Sequence, residues 1–176
     1  DYTQLNVAEI NGYNIFSGKA LCGSCHFFPL FNGLVPPVYN DTEYEVIGVP
    51  EKMNGKEIDK DQGRVVVSRV QIHQHAFKTP TVRNAALTAP YMHNGAYKTL
   101  DDVIDFYNKG GGQGIGINLP NQTLPFDSLQ LTKQEINNIK SFMLALTDTT
   151  KLNKKPKRLP LFKDEKLNQR TVGGEY

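Results

Sequence analysis

Cys22-Gly23-Ser24-Cys25-His26 is the stretch on which the reading of this chain turns. The 176 residues hold two cysteines, and both are here, two residues apart. A pair so spaced has four ordinary uses: a disulfide, a thioredoxin-like redox motif, half of a zinc site, or haem attachment. A zinc site wants two further ligands at similar close spacing, and no second cysteine pair exists. The Cys-Gly-Ser-Cys core resembles a thioredoxin motif, but no strand-helix-strand pattern surrounds it. His26 completes Cys-x-x-Cys-His. Two thiols on one helical turn meet the two vinyl groups of a porphyrin as thioethers, and the adjoining imidazole points at the iron. The sequence thus predicts one covalent haem c on Cys22 and Cys25, with His26 as proximal iron ligand.

Outward from this motif the pattern is helical. Asn6 with Glu9 three residues later reads as a capped helix start, Val7, Ile10, Tyr13 and Phe16 recur at helical spacing, and Gly18 is a stop. Residues 27–50 carry Pro29, Gly33, Pro36, Pro37 and Pro50 and read as a loop packed by aromatics. Arg64-Val65-Val66-Val67 reads as a short strand or extended segment, and residues 77–95 as mostly loop. Thr99 opens a second helix with Leu100, Val103, Ile104 and Tyr107 on one face, ended by Gly110-Gly111-Gly112. Residues 110–124 read as a flexible glycine-rich loop; they lack the Lys-Ser/Thr of a phosphate cradle and open no helix. Thr132 to Glu135 is a capping box, followed by the apolar stripe Ile136, Ile139, Phe142, Met143 and Leu146. This last helix is expected to pack on the first near the haem edge. The fold class is mainly α, a cytochrome c-like helical fold with long loops around one haem, with residues 1–150 as the haem domain and 151–176 as an extended C-terminal tail.

A histidine on one side leaves the sixth iron position open. Methionine there raises the potential, tyrosine lowers it, and vacancy permits peroxide chemistry. Met143 belongs to a core stripe and Met53 to a polar surface stretch, so Met92, in a loop between Pro90 and Gly95, is the best sulfur. Of the other histidines, His73 reads as a satisfied polar residue, while His75 and His93 are open candidates. Arg83 lies in a loop that reaches towards the haem carboxylates, where a bidentate pair suits it; otherwise it is a surface cation.

The bulk numbers exclude other classes. Net charge is +2, which demands no nucleic acid, and the basic run Lys151, Lys154, Lys155, Lys157 and Arg158 reads as a solvated tail. No apolar run approaches the ~20 residues of a transmembrane helix. Covalent haem attachment in bacteria happens outside the cytoplasm, so a periplasmic or otherwise extracytoplasmic location is expected, with a signal upstream of Asp1.

Phe77-Lys78-Thr79-Pro80-Thr81-Val82-Arg83-Asn84, then Leu87 to Gly95 with Tyr91-Met92-His93-Asn94-Gly95, then Thr99-Leu100 and Val103-Ile104-Asp105-Phe106-Tyr107, resemble the bacterial di-haem cytochrome c peroxidase family, in its MauG-like branch. The resemblance runs from about Val7 to Asp148. It implies the C-terminal of two haem domains, the one that carries the electron-transfer haem, with a peroxide-reacting haem on another domain or chain. It also implies Tyr107 as sixth ligand ahead of Met92, since that position is methionine in the peroxidases and tyrosine in the MauG branch. Arg83 and His93 match family residues close to this haem, and calcium at the domain interface is a family feature. The partners implied are a second haem domain or chain and a small redox protein as electron donor. The rival expectations are a free-standing mono-haem electron carrier, a haem that reacts with peroxide by itself, and a structural role.

Overall fold

The computed structural model describes residues 4–150 and 161–169. Among these residues five α-helical segments and one two-stranded ladder follow in the order α1 (Val7–Ser17), β1 (Tyr44–Glu45), α2 (Val65–Ser68), β2 (Phe77–Lys78), α3 (Leu100–Asn108), α4 (Gly111–Gly114) and α5 (Lys133–Ala145), with short 3₁₀ turns between.

The three longer helices begin where the sequence says they should. Each carries a reciprocal capping box: Asn6 with Glu9, Thr99 with Asp102, Thr132 with Glu135. In each, the N-cap side chain accepts an orphan N–H while the acidic side chain accepts the cap's own. Gly18 ends α1, donating to the Asn14 carbonyl.

Helices α1 and α5 cross to form the main core. Phe16, Phe31 and Phe142 meet edge to face, with ring centroids 5.3–6.1 Å apart, the geometry that aromatic quadrupoles favour. Ile139, Met143, Ile104, Val82, Leu131 and Ala20 complete the cluster, and Cys22 packs against it. Gly12 makes the crossing close: a Cβ there would lie 2.6 Å from the Asn138 carbonyl carbon and 2.8 Å from the Phe142 Cβ. Two ion pairs brace the bundle, Lys19 to Glu135 at 2.8 Å and Lys140 to Asp101 at 2.6 Å. Val7, expected on the inner face, is 74% exposed because it occupies the first turn, beyond the reach of α5.

A second, smaller cluster of Val46, Ala76, Ile117 and Leu119 sits under the long loops. Here β1 and β2 pair antiparallel, Tyr44 opposite Lys78 and Glu45 opposite Phe77. Two expectations change in this region. Residues 65–68 form a helical turn rather than a strand: Ser68 N–H bonds the Arg64 carbonyl and Arg69 N–H the Val65 carbonyl. With no neighbouring strand to pair with, the β-branched run satisfies its backbone locally. Residues 110–124 are packed rather than free. Gly110, Gly111 and Gly112 are buried, the Gly112 N–H bonds the Ile47 carbonyl at 2.9 Å, and any Cβ on Gly112 would strike Gly48. Among the described residues no helix is long and apolar enough to cross a membrane.

The tail expected from residue 151 lies largely outside the described residues, including its basic run. Its described part, residues 161–169, is exposed and ends in the short turn Glu165–Gln169.

Candidate cofactor site

Directly after α1, Leu21 takes a left-handed conformation, φ +57°, and turns the chain into the short 3₁₀ turn Cys22–Ser24. The His26 N–H closes onto the Cys22 carbonyl at 2.9 Å. Both cysteines are free thiols, so the disulfide alternative for this pair is not what the structure shows. Burial pushes the Cys22 thiol up to about 12 and the Cys25 thiol up to about 11; Glu45 and Glu43 add to the latter through their charge. Each sulfur is therefore held as a neutral thiol.

His26 Nδ1 donates to the Pro80 carbonyl at 2.9 Å. That bond fixes the ring and its tautomer, and leaves Nε2 as the basic nitrogen. Burial lowers the His26 pKa, so the imidazole stays neutral, the form that binds metal. The Pro80 segment is itself anchored: Thr81 Oγ1 donates to the Leu30 carbonyl and Arg83 Nη2 to the Pro29 carbonyl, at 3.1 and 2.8 Å.

Tyr107, on α3, is brought to the same place. Its phenol pKa is pushed far above the ordinary value, first by burial, then by the neighbouring Cys22 and Cys25 thiols, then by Glu45 and Tyr97. Among the described residues its hydroxyl has no hydrogen-bond partner. The residue as a whole is half-buried.

The other sequence candidates have different surroundings. Met92 lies half-buried in the 90–95 turn with φ +69°, its carbonyl accepting from the Gly95 N–H. Met143 is core and Met53 exposed, as expected. His73 Nδ1 bonds Ser68 Oγ, and His75 Nδ1 donates to the Asp61 carbonyl, each at 2.9 Å. Arg83 gives its guanidinium to the Pro29 carbonyl and lies over the Phe31 ring, 5.8 Å from its centroid. His93 stacks flat on Phe77, 3.7 Å between centroids, and its Nε2 lies 3.2 Å from Asp59 Oδ1. Asp59 also accepts from Asn94 at 3.0 Å, and these bonds hold its carboxyl down at about 2. His93 is thus latched to the 59–61 loop, and none of its contacts is with Cys22, Cys25 or His26.

Sequence reasoning missed two acidic side chains at the site. Glu43 and Glu45 place carboxylate oxygens within 4.8 Å of one another and of the Cys25 sulfur. The signal was present: Glu45 lies in β1 and Glu43 in the extended backbone just before it, so the two share a face, but a strand of two residues has no periodicity to read.

No family model matches the chain. It is 32% identical over 193 residues to the cytochrome-c peroxidase IdrP1 of Pseudomonas sp. (strain SCT), an alignment covering 100% of this chain and 46% of that protein. A solved MauG-like protein associated with microbial copper homeostasis superposes with a TM-score of 0.66 at 26% identity, over 82% of this chain and 48% of that one. The chain belongs to the di-haem cytochrome c peroxidase and MauG-like family. Its cytochrome c-like fold is also that of the di-haem peroxidase BthA of Burkholderia thailandensis, TM-score 0.57 at 21% identity, over 82% of this chain and 43% of that one. The chain spans less than half the length of these relatives. The chemistry of its donor set suits the family's cofactor: two neutral thiols on one turn, an imidazole with its tautomer fixed, and a phenol without a partner.

Proposed function

We infer that residues 1–150 are a haem c domain that relays electrons within a cytochrome c peroxidase-like oxidoreductase of this di-haem family. Cys22 and Cys25 would hold one haem as thioethers, and His26 Nε2 and Tyr107 would supply its iron ligands. Arg83 and His93 flank the cofactor, and residues 151–176 are a tail outside this domain. When bound, the haem supplies one-electron redox chemistry at its iron. The protein's own residues do the rest. The Pro80 carbonyl orients His26, the α1–α5 core backs Cys22, and α3 carries the phenol. Electrons enter from a small redox protein and leave for a second haem on another domain or chain, in an extracytoplasmic compartment; a calcium ion between the two domains accompanies that arrangement.

The observation that carries this reading is the meeting of the half-buried Tyr107 phenol, which has no hydrogen-bond partner among the described residues, with both cysteines beside the oriented His26 ring. The test is the optical and paramagnetic-resonance spectrum of the ferric, haem-loaded protein beside Tyr107→Phe and Met92→Leu. A low-spin signal without a methionine–iron charge-transfer band, altered by Tyr107→Phe alone, supports tyrosine ligation and a low-potential relay. A methionine band that disappears only in Met92→Leu refutes it and favours the free-standing carrier.

A further inference from the structure

The chain holds four Asn-Gly dipeptides: Asn11-Gly12, Asn32-Gly33, Asn54-Gly55 and Asn94-Gly95. In such a pair the glycine amide can close on the asparagine carboxamide, because the second residue has no Cβ to stand in the way. The fold treats the four pairs differently. Asn11 is exposed, but Gly12 lies inside α1, where its N–H belongs to the helical ladder. Helix α5 is also packed against it: a Cβ on Gly12 would lie 2.8 Å from the Phe142 Cβ. Asn32 Oδ1 accepts from the Leu34 N–H at 3.0 Å, and the Thr79 Cβ would be 2.7 Å from a Cβ on Gly33. Asn94 Nδ2 donates to the Pro50 carbonyl at 2.9 Å and to Asp59 Oδ2 at 3.0 Å, while its Oδ1 accepts from the Ala96 N–H at 3.0 Å.

Asn54-Gly55 has none of these restraints. Residues 52–54 are exposed, and among the described residues the Asn54 carboxamide has no hydrogen-bond partner. The loop around the pair is closed at its base, where the Glu51 N–H donates to the Glu57 carbonyl at 2.9 Å and Pro50 bridges Ile58. Beyond that base the Gly55 N–H is held by the turn alone, donating to the Lys52 carbonyl at 2.8 Å. A Cβ on Gly55 would meet atoms of Lys52 and of no other residue, so nothing outside its own turn packs on this amide. Lys52 and Lys56, both exposed, flank the pair in sequence. Positive charge on either side favours the negative charge that develops when the amide attacks.

We propose that Asn54 is a site of spontaneous modification, the one Asn-Gly pair of the four at which the folded chain deamidates to aspartate and isoaspartate. The Gly55 N–H leaves the Lys52 carbonyl and gives its proton to water, and its nitrogen attacks Asn54 Cγ. The bond between that nitrogen and Cγ forms, the bond from Cγ to the carboxamide nitrogen breaks, and ammonia departs from a cyclic imide. Water then opens the imide. Attack at Cγ restores the original backbone with an aspartate side chain; attack at the main-chain carbonyl leaves the backbone running through Cγ, as isoaspartate. Nothing is oxidised or reduced: one amide and one water become one carboxylate and one ammonium. Each event adds a negative charge between two lysines, on the loop that leads into Asp59, the anchor of His93. The isoaspartate product also lengthens the backbone of the turn by one carbon. The proposal stands apart from the cofactor reading.

The experiment incubates the protein as purified in mildly alkaline buffer, which favours loss of the amide proton. All four pairs are followed by peptide mapping with mass spectrometry, where the change from NH to O marks each converted site. Isoaspartate is read separately, by methyl transfer from S-adenosylmethionine with an isoaspartyl methyltransferase. A sample unfolded in guanidinium gives the rates that sequence alone dictates. In the folded protein Asn54 is expected to convert at least about tenfold faster than each of the other three, the factor that one net hydrogen bond of restraint imposes on a rate. In guanidinium the four rates converge. Asn54→Gln removes both the acidic form on ion exchange and the methyl acceptance of the folded protein. Folded rates that are equal at the four pairs, or faster at another pair than at Asn54, overturn the proposal. So does an Asn54 that stays intact in the folded protein, or a folded Asn54→Gln that accepts as much methyl as the parent.

Discussion

Gly12→Ala tests how the two helices that shelter the site are joined. In an isolated helix the change is favourable, because alanine exceeds glycine by about 1 kcal/mol in helix propensity. Here the added Cβ would lie 2.6 Å from the Asn138 carbonyl carbon and 2.8 Å from the Phe142 Cβ, with the Asn138 carbonyl oxygen closer still. Two of these three atoms are backbone, so no rotamer change relieves them. Helix α5 has to move, and with it Phe142, which touches Tyr13, Phe16 and Phe31. Overpacking of this kind costs about 1–3 kcal/mol, and backbone displacement puts the site at the top of that range. Subtracting the propensity gain leaves a net loss of about 2 kcal/mol, or about 4–8 °C in Tm for a chain of this length. Urea and thermal unfolding of the haem-loaded protein, followed by far-ultraviolet circular dichroism, reads it directly. Asn11→Ala, exposed on the same helix, is the control and should change stability by less than about 0.5 kcal/mol. A Gly12→Ala midpoint equal to or above the parent's would mean that α1 and α5 do not meet at this glycine.

Two further outcomes are expected. Glu135 both accepts from the Thr132 N–H, at 2.7 Å, and pairs with Lys19, and these contacts hold its carboxyl down at about 2. A depressed carboxyl stabilises the fold above its unfolded pKa and loses that contribution as pH falls through the folded one. The thermal midpoint of the parent should therefore drop between about pH 4.5 and about pH 2, Glu135→Gln should lie below the parent at neutral pH, and the gap should close at the acid end; parallel curves would contradict the assignment. In the haem-free protein Cys25, at about 11, should be alkylated faster than Cys22, at about 12, and both slowly at neutral pH. Peptide mapping after a short iodoacetamide pulse gives the order, and fast labelling of Cys22 first would show that burial does not protect it.

The parts of the fold that could be read in the sequence are those set by local chemistry. Capping boxes at Asn6, Thr99 and Thr132 need only a side chain and the backbone three residues away, and all three helices start there. The stripe Ile139, Phe142, Met143 is core for the same reason: its period is written in the residues. What escaped depends on partners far along the chain. The valine run at 65–67 has every β-branched mark of a strand, but no strand lies beside it to take its hydrogen bonds, and it coils instead. Gly12 reads as a weak helix residue until Asn138, 126 positions later, is seen against it. The site divides the same way. Cys22, Cys25 and His26 are one motif. The Pro80 carbonyl that orients the imidazole, the Asp59 latch on His93 and the Glu43–Glu45 face come from separate loops and carry no signature of their own.

The groups gathered round the cysteine turn bear on which redox role suits the chain. A high-potential carrier stabilises the reduced iron, most simply with a neutral thioether ligand in a neutral pocket. Around Cys22 and Cys25 the titratable neighbours are instead a phenol and two carboxylates, each of which favours the oxidised iron when it carries charge. The cations that would offset them, Arg64 and Lys78, are turned to the opposite face by the alternation of β1 and β2. A Tyr107 ligand and charged Glu43 and Glu45 would therefore act in the same direction on a bound iron. Strand register is what makes them agree: a one-residue slip of β1 would bring Tyr44 to the cysteines and carry both carboxylates to the cationic side. Which charges face the cysteine turn is thus set by the pairing of two short strands as much as by the residues of the motif itself.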